Sequence, residues 1–351
     1  MSNVSYNLGN SKPLINRQQD YVLDRRLLTV HSVDRDITKW PKSNHFEIML
    51  PETMNNVQSL RLVQATFPGN NYVFCNDYQN TKFRFTVNTN VYDLSGIQCG
   101  LYTPHQLAVE LTNKMNAQVS AGDLSFNVFY NEVSQKFLFG HTDNSFNLNF
   151  DHQIIYDVSC NNDYSNPIMW NQYANWGLPY YLGFEKKTYT SISGSPSIDY
   201  LDNCSPCVDP TAPTINHYVE APIAAAISGE RCIYMEVDKY NSYDELYPYN
   251  KSSCQIFDNN AYNGRVNTAF AKIPIKGETV EQDSRNLFLQ NVVQYDPPIE
   301  RISRLKFKFR FHDGRLVDFQ NNNFDFTIEF NCLKNEIAKK YNVRIPAAYI
   351  L

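Results

Sequence analysis

Two short segments carry the side chains best suited to acid–base chemistry: Asp34-Arg35-Asp36 and His312-Asp313-Gly314-Arg315. A histidine beside a carboxylate can move a proton near neutral pH, and a pair of carboxylates in unlike surroundings can divide the acid and base roles. Both segments also have a plainer explanation. Asp313-Gly314 is a strong hairpin-turn signal, and it stands between the strand-like runs Ile302 to Phe311 and Leu316 to Phe319. Asp34 to Asp36 likewise flanks a strand and reads as a turn. The remaining histidines, at 31, 45, 105, 141, 152 and 217, are scattered with no pair at metal-ligand spacing. Of the cysteines at 75, 99, 160, 204, 207, 232, 254 and 332, only Cys204 and Cys207 are close in sequence. No second such pair completes a zinc site, and the turn-rich surroundings lack the strand-to-helix context of a redox motif, so their proximity reads as chance, with a local disulfide formed after assembly as the alternative. There is no Gly-rich phosphate loop, no His-Glu-x-x-His and no Gly-x-Ser-x-Gly, and 13 glycines are few for a nucleotide-binding domain. The expectation is a protein with no catalytic residues, no metal site and no cofactor.

The elements that would position such residues are mostly strands. Phe46 to Leu50 reads as a strand stopped by Pro51, followed by a second from Val57 to Ala65, with Pro68-Gly69 as a turn. Lys82 to Val87 alternates Phe83, Phe85 and Val87 against Lys82, Arg84 and Thr86, so one face is apolar. Further strands are expected at 27–30, 72–75, 124–130, 136–139, 146–150, 231–238, 267–275, 291–294, 302–311 and 324–330. One helix stands out. Thr103 is its N-cap, Pro104 suits its first turn, and Leu107, Leu111 and Met115 recur on one face. A second helical stretch runs from Leu333 to Tyr341.

About a dozen short strands, two small helices and long connections describe a mainly β chain, an antiparallel β-sandwich of jelly-roll-like form. Composition agrees, since Tyr (24) and Phe (22) suit pleated, half-buried surfaces. The expected organisation is an extended N-terminal arm over residues 1–24, a β-sandwich over 25–332 with a loop-rich insertion at about 160–222, and a C-terminal helix and tail over 333–351.

Charge narrows the partners. The formal net charge is −5, whereas genome binding calls for a basic field that neutralises phosphates. The strongest basic stretch, Lys306 to Arg310, alternates with Phe and reads as a solvated strand face. The start of the chain is polar and lacks the apolar core of a secretory signal, and no run reaches the ~18 apolar residues of a membrane span.

Four groups of residues, in order, resemble a known family. They are Ser32-Val33-Asp34-Arg35-Asp36 with Trp40-Pro41, Phe46 to Pro51 and Asn56 to Leu62; Gly100-Leu101-Tyr102-Thr103 with Gln106-Leu107-Ala108, Glu110-Leu111 and Asn116; Leu182-Gly183-Phe184; and Phe307, Phe309, Phe311, Asp313-Gly314 and Leu316 to Phe319 with Phe324, Phe326-Thr327 and Glu329. Together, over residues 28 to 332, they resemble the minor capsid proteins of nucleocytoplasmic large DNA viruses, such as those infecting algae. The resemblance implies a non-enzymatic β-rich protein of the virion, made in the host cytoplasm and placed in the icosahedral capsid shell on its inner side. It implies multiple copies per particle, cementing capsomers of the major capsid protein and touching other minor capsid proteins. Interface positions are expected at Pro13, Leu14 and Ile15 in the arm, and at Trp170, Trp176, Tyr180 and Tyr181 in the aromatic loop, because Tyr and Trp bring large contact area with few rotatable bonds. The competing reading is a carbohydrate-binding or glycoside-cleaving sandwich, in which exposed indoles stack on sugar rings and paired carboxylates cut the glycosidic bond.

Overall fold

The computed structural model describes residues 21–68, 71–119, 126–156, 170, 174–196, 214–246, 266–275, 281–283, 293–312, 314–320 and 322–335. Pro13, Leu14 and Ile15, the Cys204/Cys207 pair and Asp313 lie outside these residues.

The chain begins with β1 (Tyr21–His31) and β2 (His45–Pro68). It then forms β3 (Arg84–Val87), β4 (Asn90–Asp93), helix α1 (Pro104–Gln118), β5 (Phe126–Asn131), β6 (Lys136–His141) and β7 (Phe146–Asn149). A short helix α2 (Leu178–Tyr181) precedes β8 (Thr188–Thr190), β9 (Ile192–Ser193) and β10 (His217–Glu220). The last stretch holds β11 (Cys232–Val237), β12 (Tyr243–Leu246), β13 (Val266–Ala269), β14 (Ala271–Pro274), β15 (Glu281–Asp283), β16 (Val293–Arg310) and β17 (Asp325–Asn335). The fold is mainly β, and all strand pairing among the described residues is antiparallel, as the alternating pattern requires.

The first and last described strands build one large sheet, in the order β1-β17-β2-β16-β11-β14 with β15 beside β2. Its inner face gathers Phe46, Leu60, Leu62, Phe67, Phe307, Phe309, Phe326, Ile328 and Phe330 into one cluster. Phe319 and Phe324, 4.5 Å apart between ring centroids, close it. Each buried Phe contributes about 1.5–3 kcal/mol of transfer free energy, so this row of rings dominates the stability of the sheet.

Between β2 and β11 the chain builds a second cluster of its own. Sheets β4-β3-β7-β8 and β5-β6-β10-β9 contribute Phe85, Phe126, Phe137, Phe139 and Phe146, and α1 adds Leu107, Leu111 and Met115. Phe83 meets Phe139 edge-on at 6.2 Å and Phe85 meets Phe126 at 5.5 Å, so the two sheets face one another. Helix α1 starts where the sequence places it. Thr103 Oγ1 accepts from Gln106 N at 3.3 Å while Gln106 Oε1 accepts from Thr103 N at 3.0 Å, a reciprocal capping box. The described part of the loop-rich insertion expected at about 160–222 carries α2 and β8 to β10.

Several boundaries differ from expectation for physical reasons. Pro51 does not end a strand, because it lies within β2, which is 24 residues long and runs on to Pro68. The register against β16 jumps between the pairs Met54/Ile302 and Met49/Arg304, so the proline sits in a bulge where its missing N–H costs no ladder bond. The separate strands expected at 291–294 and 302–311 are likewise one strand, β16. Tyr21 to Asp24, expected in the arm, pair with Cys332 to Asn335, and Leu333 to Asn335, expected to open a helix, therefore continue β17. Leu316 to Phe319 form no strand. An isolated Arg310–Leu316 bridge closes the turn, with Phe311 N donating to the Arg315 carbonyl at 2.9 Å and Gly314 at φ 87°.

Candidate functional site

Asp34, Arg35 and Asp36 form a loop clamp. The Arg35 guanidinium donates to the carbonyls of Ser32 at 2.7 Å and Trp40 at 3.1 Å, and to Asn323 Oδ1 at 3.2 Å. Asp36 accepts from the Thr38 amide at 3.0 Å and the Thr38 hydroxyl, which holds its carboxyl below the usual range. Arg35 holds the β1–β2 connection against Asn323, on the approach to β17, and Asp36 caps the turn at Thr38.

His312 belongs to a larger polar cluster. Its Nδ1 lies 2.8 Å from Glu245 Oε2, and Glu245 also pairs with Arg310. Arg310 reaches Glu236 as well, and Lys308 lies 3.3 Å from the second oxygen of Glu236. The expectation of a solvated basic face on β16 therefore fails at Arg310, which is 1% exposed. It is covered because Tyr234, its partner on β11, presents a ring 5.1 Å from the guanidinium and the β12–β13 hairpin closes over it with Glu245. Burial pushes the Glu245 carboxyl up, but hydrogen bonds from His312 and Arg310 outweigh it and hold the group below its ordinary value. A carboxylate so held is a poor general acid, and each charge in the cluster already has an opposite partner. The arrangement locks a hairpin to a strand rather than offering a reactive group. Its carboxylates lie some 65 residues or more from Arg310 in sequence, and the alternation of charge with Phe on β16 was the one local signal of it.

A second closed network lies on the outer face of the large sheet. Glu329, with its side chain 6% exposed, accepts from Arg25 at 2.6 Å and Arg61 at 2.8 Å through one oxygen, and from Asn331 at 3.1 Å through the other. Around it the edge strand β1 exposes Leu23 (55%) and Leu27 (58%). Its pairing among the described residues is with β17 alone.

The aromatic positions expected at an interface pack largely into the second cluster. Trp176 and Tyr181 are buried there, and Trp170 and Tyr180 are partly buried against it. The two indoles meet edge-to-face at 4.8 Å, and Lys186 lies over both rings at 4.9 and 5.2 Å. A sugar-stacking platform needs an open indole face, and here the lysine covers one on each ring. Among the described residues there is no group of three or more His, Cys, Asp or Glu placed to hold a metal ion. Nor is any helix among them long and apolar enough to cross a membrane.

No protein-family model matches the sequence, and no curated protein does. Several solved structures are similar at the level of the chain trace. One is from the cryo-EM structure of the Sputnik virophage, at 9% identity and a TM-score of 0.45, with 90% of this chain and 99% of that chain covered. Another is the mavirus penton protein, at 9% identity and a TM-score of 0.39, with 88% and 99% covered. Both scores are below 0.5, so the fold stands on the strand pairing and core described above.

Proposed function

We propose that this chain is a structural, non-enzymatic protein of a large DNA virus, a minor capsid protein that cements major capsid capsomers into an icosahedral shell. One observation supports it most: the segments that resemble the minor capsid family serve as turns, caps and core strands, and His312 and Asp36, among the candidate acid–base groups, are engaged in ion pairs with Glu245 and Lys39. The Ser32–Asp36 segment is a loop clamp, Thr103–Gln106 a helix cap, and Phe307 to Phe326 the aromatic centre of the large sheet. Gly183 is a turn at φ 89° where a Cβ would collide with the Ile223 carbonyl. A scaffold of this kind offers surfaces rather than chemistry. Its edge strand β1, with Leu23 and Leu27 outward, is suited to contact with a neighbour.

On this reading many copies sit on the inner side of the shell, among the major capsid protein and other minor capsid proteins. Residues 1–20 act as an assembly arm, with Pro13, Leu14 and Ile15 as its anchor. The net charge of −5 gives no electrostatic reason for direct genome contact. The test is quantitative mass spectrometry of virions stripped by repeated salt washes. The protein is expected to remain, in a fixed ratio to the major capsid protein. Its removal by washing, or a ratio that drifts between preparations, overturns the reading.

A further inference from the structure

The segments on either side of the β3–β4 hairpin meet at a single antiparallel bridge. Phe74 N donates to the Gly100 carbonyl at 3.1 Å and Gly100 N donates to the Phe74 carbonyl at 2.9 Å. That makes Phe74 and Gly100 a hydrogen-bonded pair. The next pair outward, Cys75 opposite Cys99, falls at a non-hydrogen-bonded position, where facing Cα atoms are about 4.5 Å apart and side chains approach most closely. The Cys75 amide confirms the geometry by turning away, donating to Asn80 Oδ1 at 2.9 Å. A disulfide spans Cα separations of roughly 4.4–6.8 Å, so this register can carry one with little backbone movement. Both cysteines are free thiols and both are half-buried.

We propose that Cys75 and Cys99 are a dithiol site that closes to a cross-strand disulfide by exchange with a small-molecule disulfide of the glutathione class. Burial pushes the Cys75 thiol up to about 11, so it stays protonated at neutral pH and the first attack falls to Cys99. Cys99 loses its proton to solvent, and its thiolate attacks one sulfur of the small disulfide. That S–S bond breaks, and one small thiolate leaves with the electron pair. Cys75 then gives up its proton and attacks the Cys99 sulfur of the mixed disulfide, expelling the second small thiolate. Two protein thiols are oxidised, one small disulfide is reduced to two thiols, and the two protons released are taken up by them.

The bond would fasten a particular place. Val73, Tyr78 and Leu101, which flank the two cysteines, line a small cleft shared with Gly229, Ile275 and Arg315 near the large sheet. The Arg315 guanidinium lies 4.3 Å from the Tyr78 ring. Closing the disulfide fixes the second unit's side of this joint, by a constraint that survives in an oxidising medium and is released in a reducing one.

The test uses the full-length chain, reduced and then equilibrated in graded mixtures of reduced and oxidised glutathione, acid-quenched, alkylated and digested with trypsin. Lys82 and Arg84 lie between the cysteines, so Cys75 and Cys99 fall in different tryptic peptides unless bonded. The expected result is a cross-linked Cys75–Cys99 peptide, loss of alkylation at both positions, and a melting temperature that rises with oxidation. In Cys75→Ser, Cys99 is expected to stop at the glutathione mixed disulfide, and the oxidation-dependent melting shift should vanish. Cys99→Ser removes the linked peptide as well. The proposal is overturned if both cysteines stay alkylated in mixtures that oxidise a model dithiol peptide, if either pairs with a different cysteine, or if Cys75→Ser keeps the full melting shift.

Discussion

Single positions in this molecule are constrained by close approach and by charge. Gly183 lies at φ 89° with the Ile223 carbonyl where a Cβ would stand, and Ile223 N donates back to the Gly183 carbonyl at 3.2 Å. Gly183→Ala adds both left-handed strain and a backbone clash, at a cost of about 3 kcal/mol, so urea unfolding should shift to a clearly lower midpoint. An unchanged midpoint would mean that the turn can relax. Glu245 and Glu329 set the acid limit. Burial pushes each carboxyl up, but hydrogen bonds outweigh it, from His312 and Arg310 at Glu245 and from Arg61 and Asn331 at Glu329. Their folded-state values are therefore depressed. The stability they contribute is fully present above the ordinary glutamate value of ~4.3, and is lost as the pH falls through the depressed folded value. Thermal melting between pH 6 and pH 3 should show this loss, and Glu245→Gln should melt lower at pH 7 with a shallower acid decline. An acid profile that Glu245→Gln leaves unaltered would show that the Arg310 cluster does not govern it.

At the scale of elements, the clearest sequence signals were those whose cause is local. The Leu107, Leu111 and Met115 stripe with its Thr103 cap predicts α1, and all three side chains are fully buried. Leu111→Asp puts an unpaired charge into the second cluster, at a cost on the order of 4 kcal/mol, and the variant should be recovered insoluble or with lost near-UV circular dichroism. A soluble variant with wild-type melting would contradict the packing of α1. The alternation of Phe83, Phe85 and Val87 was equally plain, because a period of two is written in the residues themselves. Features that depend on a distant partner were not legible. Pro51 looks like a stop until the bulge against β16 removes the ladder bond it would have broken. Arg310 looks solvated until Glu236, Glu245 and Tyr234 arrive from elsewhere in the chain. Trp176 and Tyr181 were expected at an interface for the contact area their rings bring, and the fold places both in the second cluster. The Cys75–Cys99 pairing was hidden for the same reason, since only the Phe74–Gly100 bridge brings the two together.

For the whole molecule, the decisive question is what the start of the chain contributes. Residues 21–24 are part of the large sheet. Tyr21 pairs with Asn335 and Asp24 with Cys332, and Asp24 makes ion pairs to Lys334 at 2.6 Å and Arg26 at 3.2 Å. The proposed assembly arm therefore extends no further than residue 20, rather than to residue 24. Two truncations distinguish its roles. Removing residues 1–20 leaves β1 and its ion pairs whole, so melting of the isolated protein should be unchanged while incorporation into particles falls. Removing residues 1–24 also strips ladder bonds and the Asp24 pairs from the edge, so that variant should melt lower as well. Competition between tagged full-length and truncated copies in infected cells, read as the ratio recovered in washed virions, measures incorporation directly. Equal recovery of the 1–20 truncation and the full-length chain would remove the arm from the proposal, because the edge strand and the exposed Leu23 and Leu27 would then have to supply the contact by themselves. A lowered melting point on removing residues 1–20 alone would point the other way, to a segment that serves its own sheet rather than a neighbour.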